Sequence, residues 1–397
     1  MKNPTPAQLS ALATRALRVS RTLPPLPREA DGRLTPEGRA IFSAAVRRVL
    51  AQNRAVGAAL VLCAPGGADD VFCFGHARLR PRVPVTERTC FRLASVSKLI
   101  LSFAVLSMAQ DGLLALDADA GALLGYPVRH PAHPDAPVTL RMLLTHTAAL
   151  SDAGPYAQAI QGKSIPLRAV LQNPASWLPH RPGEAFHYSN LSAGTAGSAL
   201  ECAAGKPLGQ ILRERVFAPL GARVFCDPRE VDAPDDLSDG YAVRGLFPPR
   251  LRYDASALAA RPADPFAPER DYLAGAGRMI ADARGLSRLA RLLASHGEQG
   301  VLSAASLDEM RAPQDGAGGI LQAGRGLNVA FLPDVFPGFS PVGHQGVAYG
   351  MCAELFADPA TGAAVGVMTS GVRLVRTPPL MRAGFDLLAL AFAALSR

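Results

Sequence analysis

The 397-residue chain is predicted to adopt an α+β fold, in which one antiparallel sheet is completed by both ends of the chain and is flanked by helices. Strand-like segments occur near residues 55–79 and return at 326–370. Between them, residues 116–270 combine helical patches with proline-rich loops and few clear strands. We therefore expect a mostly helical lobe inserted into a sheet-bearing lobe, with a cleft between the two.

Composition divides the chain into a leader and one main domain. Residues 1–40 are interpreted as a short amphipathic helix followed by the proline-rich linker "TLPPLPREADGRLTPEG". Residues 41–395 are assigned to the domain, with an α/β lobe at about 41–115 and 271–395 and a helical lobe at about 116–270. An active site is expected where the two lobes meet.

The individual elements follow from local patterns. A helix over about 36–52 precedes "AVGAALVLCAPGGADDVFCFGHARL", which predicts a β-hairpin around its Pro-Gly-Gly turn. The segment that begins "FRLASVSKLI" predicts a helix that ends at Asp111-Gly112. Further along, "RMIADARGLSRLARLLASHG" predicts a helix. The runs "GLNVAFL", "GVAYGMCAELFAD" and "AAVGVMTSG" predict strands, and "GFDLLALAFAALSR" predicts a helix that packs on the sheet.

Charge and cysteine usage narrow the class of protein. The net charge of +8 comes from scattered arginines, and the densest basic patch, "ARLRPR" at 77–82, has no aromatic platform beside it. A solvated basic surface is therefore expected rather than a nucleic-acid site. The first helical stretch is interrupted by Arg15 and Arg18, so it lacks the apolar core of a secretion signal, and no run is long enough to span a membrane. Together with six cysteines that show no Cys-x-x-Cys spacing, this predicts reduced thiols and a cytoplasmic location.

A serine and a lysine form the first candidate for chemistry. Lys98 is one of only four lysines, and it lies in an apolar run three residues after Ser95. Lysine is rarely buried without a partner. Residues three apart on a helix share a face, so the spacing predicts a nucleophile beside an amine.

Two further motifs lie downstream. "FHYSNLSAG" places Asn190 two residues after Tyr188, so that both side chains project to one side of an extended segment. "PVGHQGVAYG" offers His344-Gln345-Gly346 at the entry to a C-terminal strand. His146, in "LLTHTAAL", is interpreted as a structural histidine.

Taken together, these ordered motifs resemble the serine β-lactamase and penicillin-binding protein superfamily, and within it the class C-like branch. "TCFRLASVSKLI" is similar to its nucleophile motif, "HYSN" to its tyrosine motif, and "GHQG" to its third motif. "LLTHTAAL" and "AGAGRMIADARGLSRLARLL" resemble connecting segments of that branch, and the resemblance covers roughly residues 40–395. The implied fold is β-lactamase/transpeptidase-like.

The resemblance implies roles for the catalytic residues. Ser95 is the expected nucleophile, at a helix N-terminus whose N–H groups favour developing negative charge. Lys98 accepts or relays its proton, and an apolar setting favours the neutral amine that this requires. Tyr188 can share that task, and the sequence leaves open which of the two is the base.

The remaining residues are expected to bind the substrate. Asn190 would orient Lys98 and the acyl-side amide or carbonyl. The backbone N–H groups of Ser95 and Val347 are the candidate oxyanion hole, with Gly346 allowing close approach of the strand. His344 and Gln345 are expected to line the wall that faces the leaving group or a substrate carboxylate.

One departure from the family pattern bears on the substrate. Where lactamases place a lysine and a threonine or serine, this chain has His344 and Gln345. A histidine is largely neutral near pH 7 and gains charge towards pH 6, so carboxylate capture is expected to be weak at neutral pH and better in acid. This favours ester or small-amide substrates over β-lactams.

The expected function is therefore that of a serine hydrolase that forms an acyl-serine intermediate, most simply an esterase. One alternative is a β-lactamase, or a D-alanyl-D-alanine carboxypeptidase or D-amino-acid peptidase. The alternative from another class is a non-catalytic acyl-binding or partner-binding relative. The expected partner is a small-molecule ester, amide or lactam, without cofactor, metal, nucleic acid or membrane span. The oligomeric state is left open.

Overall fold

The computed structural model describes residues 23–262, 265–268, 270–314, 325–377 and 379–396. The amphipathic helix expected in the leader falls outside these ranges. Residues 23–35 run along the domain: Leu34 is buried, and the Arg28 guanidinium donates to the carbonyl of Ala394 near the C-terminus. The last part of the expected linker therefore packs on the domain.

The strands of the described residues carry the sheet architecture. In chain order they are β1 (Gly57–Cys63), β2 (Asp69–Leu79), β3 (Arg82–Pro84), β4 (Phe91–Arg92), β5 (Arg129–His130), β6 (His133–Pro137), β7 (Val224–Phe225), β8 (Gly240–Ala242), β9 (Arg250–Tyr253), β10 (Ile280–Ala281), β11 (Ala330–Phe331), β12 (Val342–Ala348), β13 (Met351–Asp358), β14 (Ala363–Ser370), β15 (Arg376–Thr377) and β16 (Leu380–Met381). The main sheet has seven antiparallel strands in the order β11-β12-β13-β14-β1-β2-β3. Both ends of the chain complete one sheet, as the sequence predicts.

Helices surround this sheet and fill the segment between its two halves. They are α1 (Pro36–Gln52), α2 (Val96–Gln110), α3 (Ala120–Leu124), α4 (Leu140–Thr145), α5 (Pro155–Ala159), α6 (Leu167–Leu171), α7 (Asn190–Ala204), α8 (Leu208–Leu212), α9 (Ala218–Leu220), α10 (Ala255–Ala259), α11 (Ala274–Gly277), α12 (Ala283–Ala294), α13 (Ala304–Arg311) and α14 (Arg382–Leu395). The boundaries of the helical lobe near residues 116 and 270 stay a prediction.

The central strands are buried on both faces because helices cover each side. β1 pairs with β14 from Gly57 opposite Ser370 to Cys63 opposite Ala364, which ties the N-terminal hairpin to the C-terminal strands. All residues of β1, β13 and β14 are buried. Helix α12 packs on one face, and α14 with α1 packs on the other. Near-continuous apolar strands are what such two-sided burial requires.

Two elements differ from the sequence-based prediction. The helix expected from residue 278 begins only at Ala283, because the Asp282 carboxylate accepts from the Gly285 N–H at 2.7 Å and caps the helix there. The preceding β10 instead pairs with β4 and β7. The run "GVAYGMCAELFAD" belongs to two strands, since the turn at Tyr349 and Gly350 separates β12 from β13.

Three further observations concern membrane spans, metal sites and cysteines. No helix formed by the described residues is both long and apolar enough to cross a membrane. Within the same residues, no cluster of three or more His, Cys, Asp or Glu side chains could hold a metal ion. None of the six cysteines, all of which lie in the described residues, forms a disulfide.

Candidate active site

Ser95 lies where the short strand β4 gives way to helix α2. It is the N-cap residue of that helix, and the preceding Ala94 takes a left-handed backbone conformation with φ of 47°. This sharp turn leaves Ser95 partly exposed while the following residues are buried. Ser97 has a structural task, because its hydroxyl accepts a hydrogen bond from the Met279 N–H at 3.2 Å.

Lys98 is fully buried and converges with Ser95, as the helical spacing predicts. Its Nζ lies 3.0 Å from Ser95 Oγ and 2.8 Å from Asn190 Oδ1, and it donates to the carbonyl of Ala276. Nζ is also 5.1 Å from the centroid of the Tyr188 ring. Within the described residues no carboxylate forms an ion pair with Lys98. The amine is therefore held by neutral oxygens and an aromatic face.

Asn190 is fixed by Asp152, a residue that the sequence analysis did not identify. The Asp152 carboxylate accepts from Asn190 Nδ2 at 2.7 Å and from the backbone N–H groups of Asn190 and Leu191 at 3.0 and 2.9 Å. It also accepts from the Ser189 hydroxyl at 2.9 Å. The carboxylate thus caps the N-terminus of α7 and turns the oxygen of the Asn190 amide towards Lys98.

His146 packs against the tyrosine of the second motif. Its ring centroid lies 4.5 Å from that of Tyr188 and 5.9 Å from that of Phe186. Its Nδ1 accepts from the Ser189 N–H at 3.3 Å. Burial, reinforced by the charges of Lys98 and Arg325, holds the pKa of His146 well below its usual value. His146 therefore packs against the Tyr188 ring as a neutral histidine.

His344 reaches the same site from strand β12. Its ring centroid is 6.2 Å from that of Tyr188, and its Nδ1 lies 2.6 Å from the carbonyl oxygen of Gln345. Burial lowers the pKa of His344 to about 3, and the charges of Lys98 and Arg325 act in the same direction. The expectation that His344 gains charge between pH 8 and pH 6 is therefore wrong.

Gly346 brings β12 against the turn that carries Ser95. A Cβ at this position would lie 2.0 Å from the Leu93 carbonyl oxygen and 2.8 Å from the Ser95 nitrogen. Only glycine permits this approach. Val347 follows on the same strand, opposite Cys352 in β13. The backbone of β12 and the N-terminus of α2 thus border one small space.

The Gln345 side chain does not line the substrate wall together with that of His344, which corrects the expectation for this residue. Its Nε2 donates to Glu354 Oε1 at 2.8 Å, and its Oε1 accepts from the Met381 N–H at 3.0 Å. Successive side chains of a strand point to opposite faces, so Gln345 faces helix α14 when His344 faces the site. Glu354 is itself fully buried, and burial raises its pKa to about 8.

Arg325 is a second residue that sequence reasoning missed. Its guanidinium carbon lies 4.7 Å from the centroid of the Phe186 ring, and no ion pair of Arg325 occurs among the described residues. Burial lowers the pKa of Arg325, whereas its interaction with Tyr188 raises it. No motif or spacing in the sequence predicts the position of Arg325, because only the fold brings it near Tyr188.

Comparison with known proteins identifies relatives of this fold. The Beta-lactamase family model matches residues 42–384. Esterase EstB of Burkholderia gladioli is 30% identical over 301 residues, which cover 70% of this chain and 74% of EstB. The D-alanyl-D-alanine-carboxypeptidase/endopeptidase AmpH of Escherichia coli (strain K12) is 31% identical over 173 residues, which cover 43% of this chain and 44% of AmpH.

Solved structures agree on the architecture. EstCE1, described as a hydrolase with promiscuous acyltransferase activity, superimposes with a TM-score of 0.69 at 25% identity, over 89% of this chain and 98% of EstCE1. The octameric penicillin-binding protein homologue from Pyrococcus abyssi has a TM-score of 0.71 at 19% identity, over 89% of this chain and 77% of that protein. These likenesses confirm the α+β fold expected from the sequence.

Proposed function

The chain belongs to the beta-lactamase family, and from this premise we propose that it is a serine hydrolase that forms an acyl enzyme on Ser95 and acts on esters or small amides. One observation carries the proposal: Lys98 is fully buried, has no carboxylate partner among the residues that the structure describes, and lies 3.0 Å from Ser95 Oγ. Burying an amine without an opposite charge costs folding free energy, which favours a functional rather than a structural role for Lys98. A structural lysine has no reason to face a partly exposed serine.

The proposed reaction has two halves. Ser95 Oγ attacks the substrate carbonyl while its proton passes to Lys98 or Tyr188, and the tetrahedral intermediate collapses to the acyl enzyme as the leaving group takes that proton. Water then attacks the acyl carbonyl and releases the acid, which regenerates Ser95. The N–H groups of Ser95 and Val347 are the proposed donors to the oxyanion, and the close approach at Gly346 supports this pairing.

Asn190 and Asp152 are proposed to hold the proton-transfer group in place. Asn190 accepts from Lys98 and donates to Asp152, so its amide has one orientation only. Asp152 touches neither Ser95 nor Lys98 through a hydrogen bond, and it therefore acts as a positioning residue. Geometry of this precision matters because misplacement by 1 Å lowers rates by about 10²-fold.

An esterase is favoured because the substrate wall lacks a fixed cation at the third motif. His344 is neutral across the physiological range, and Gln345 is turned to the other face of the sheet. Loss of one charge-assisted hydrogen bond of about 1.5–3 kcal/mol lowers kcat/KM roughly 10–100-fold for a substrate that needs it. The likeness to EstB over 74% of that esterase supports the same substrate class.

A second candidate rests on Arg325. This cation approaches Tyr188 and Phe186 and has no carboxylate partner among the described residues, so it could receive the carboxylate of a β-lactam or of a D-alanyl-D-alanine or D-amino-acid peptide. The partial likeness to AmpH supports this reading. A β-lactamase or D-amino-acid peptidase is accordingly the alternative activity.

A substrate panel separates these candidates. We expect p-nitrophenyl acetate or butyrate to be hydrolysed with clearly higher kcat/KM than benzylpenicillin or nitrocefin. Because the pKa of His344 is about 3, its ionisation makes no contribution to the ester-to-lactam ratio between pH 6 and pH 8. Nitrocefin turnover above that of the esters, lost in Arg325→Gln, would favour the alternative. Absence of all turnover and of covalent labelling would indicate a non-catalytic relative.

A further inference from the structure

Two surface loops expose bulky apolar side chains among arginines. Leu246 and Phe247, between β8 and β9, are 91% and 75% exposed. Leu374 and Val375, just after β14, are also exposed. We call residues 244–252 and 373–376 together the basic–apolar patch. Large apolar groups that face water in this way usually mark a contact surface.

The two loops belong to one surface because both are attached to the end of α1. The Arg54 guanidinium donates to the Phe247 carbonyl at 3.0 Å, and also to that of Gly245. The neighbouring Asn53 carbonyl accepts from the Arg373 N–H at 2.9 Å. The apolar side chains of the two loops therefore flank a single short segment of the chain.

The charge of the patch has one sign. Its exposed arginines are Arg244, Arg250, Arg252, Arg373 and Arg376. Neither 240–253 nor 371–382 contains an aspartate or glutamate. Within the described residues none of the five arginines forms an ion pair, unlike Arg291, which pairs with Asp69, or Arg223, which pairs with Asp236. The patch is thus complementary to a surface that is anionic.

We propose that the basic–apolar patch docks the protein on an anionic lipid bilayer, with Leu246 and Phe247 inserted at the boundary between headgroups and acyl chains. A bilayer offers what this surface lacks, namely negative charge for the arginines and an apolar phase for the side chains beside them. A nucleic-acid backbone would satisfy the arginines but provides no apolar phase. The surface therefore fits a membrane better than a polyanion alone.

The patch lies next to the active-site strand. Tyr253, at the end of the same hairpin, stacks on Tyr349 with ring centroids 5.8 Å apart. Tyr349 is in the turn directly after β12, and the neighbouring Gly350 carbonyl accepts from the Gly371 N–H at 2.9 Å, just before the second loop. Docking would bring the site around Ser95 close to the lipid surface, where an amphiphilic ester could enter it. This last consequence rests on the proposed function, whereas docking itself does not.

Vesicle flotation of the full chain tests the proposal. We expect binding to phosphatidylcholine vesicles that contain about one-third phosphatidylglycerol, much weaker binding in 0.5 M NaCl, and none to pure phosphatidylcholine. Since each arginine near an anionic surface raises affinity about fivefold, the triple variant R244Q/R373Q/R376Q should bind roughly 100-fold more weakly. L246S/F247S should lose at least about tenfold. The control L113S/I160S, at positions 56% and 58% exposed outside the patch, should bind as the wild type does.

Three results would overturn the proposal. One is equal binding to neutral and anionic vesicles, or to neither. Another is unchanged binding by L246S/F247S when the arginine variant fails, because the surface would then recognise charge alone. The third is displacement of the protein from vesicles by duplex DNA at equal phosphate concentration. Thermal denaturation verifies that each variant is folded, and because no turnover is measured, failure of this test leaves the hydrolase proposal unaffected.

Discussion

Replacement of Gly346 by alanine should lower kcat about 10²-fold in a protein that remains folded. The added Cβ would lie 2.0 Å from the Leu93 carbonyl oxygen, whereas real Cβ contacts are essentially never below 3.0 Å. Strand β12 must therefore move away from the Ser95 turn by about 1 Å. A displacement of this size between reacting groups lowers the rate by about 10²-fold.

The effect on folding should be moderate. Overpacking of this kind costs typically about 1–3 kcal/mol of the free energy of unfolding, and the rest of β12 keeps its pairing with β13. Gly197→Ala in helix α7 is the matched control, because its Cβ would lie at ordinary contact distances of 3.4 Å from Leu208 Cδ2 and 3.5 Å from Gly275 Cα. That variant should keep its kcat and gain up to about 1 kcal/mol from helix propensity.

The measurement is kcat and KM for p-nitrophenyl acetate, together with thermal denaturation of both variants. A Gly346→Ala enzyme that is folded and has normal kcat would refute the inference that the approach of β12 to Ser95 creates the catalytic space. Loss of activity in Gly197→Ala as well would indicate a general sensitivity to added methyl groups.

Three further predictions concern proton transfer, positioning and pH. Lys98→Ala and Tyr188→Phe should each lower kcat at least about 10²-fold. The double variant should lose far less than the product of the two single losses, because the two residues act as one unit. Near-normal kcat in Lys98→Ala would show that Lys98 is structural. Asp152→Asn should lower kcat without a matching rise in KM, as Asn190 loses its fixed orientation, and Asp152→Glu should recover part of it; a change in KM alone would contradict this role. Glu354 binds a proton up to about pH 8 in the folded protein but only up to about pH 4.5 when unfolded, so the free energy of unfolding should fall as pH rises from 4.5 to 8. In denaturant titrations, the free energy of unfolding of Glu354→Gln minus that of the wild type should therefore be larger at pH 9 than at pH 5. An equal difference at both pH values would show that Glu354 is not the origin of the pH dependence.

Local patterns predicted the elements that depend on nearby residues. The hairpin of β1 and β2, helix α2 and its end at Asp111, and the helix that packs on the sheet at the C-terminus all follow from short-range periodicity and turn residues. The approach of Lys98 to Ser95 is equally local, because both lie on one turn of helix.

Long-range contacts explain what the sequence did not reveal. Asp152 reaches Asn190 across 38 positions of the chain, and Arg325 reaches Phe186 only through the folded core. The orientation of Gln345 depends on which alternate residues of β12 face each side of the sheet, and this became known only from the pairing of β12 with β13. The pKa of His344 likewise depends on burial and on cations from other elements.

Covalent labelling tests directly whether Ser95 is the nucleophile. An organophosphonate or a slowly hydrolysed lactam should add one phosphonyl or acyl group to Ser95. Mass spectrometry of the digested protein should find this single addition on the peptide that contains Ser95, with no addition in Ser95→Ala. Label on Ser97 or Ser189, or full ester turnover by Ser95→Ala, would contradict the account.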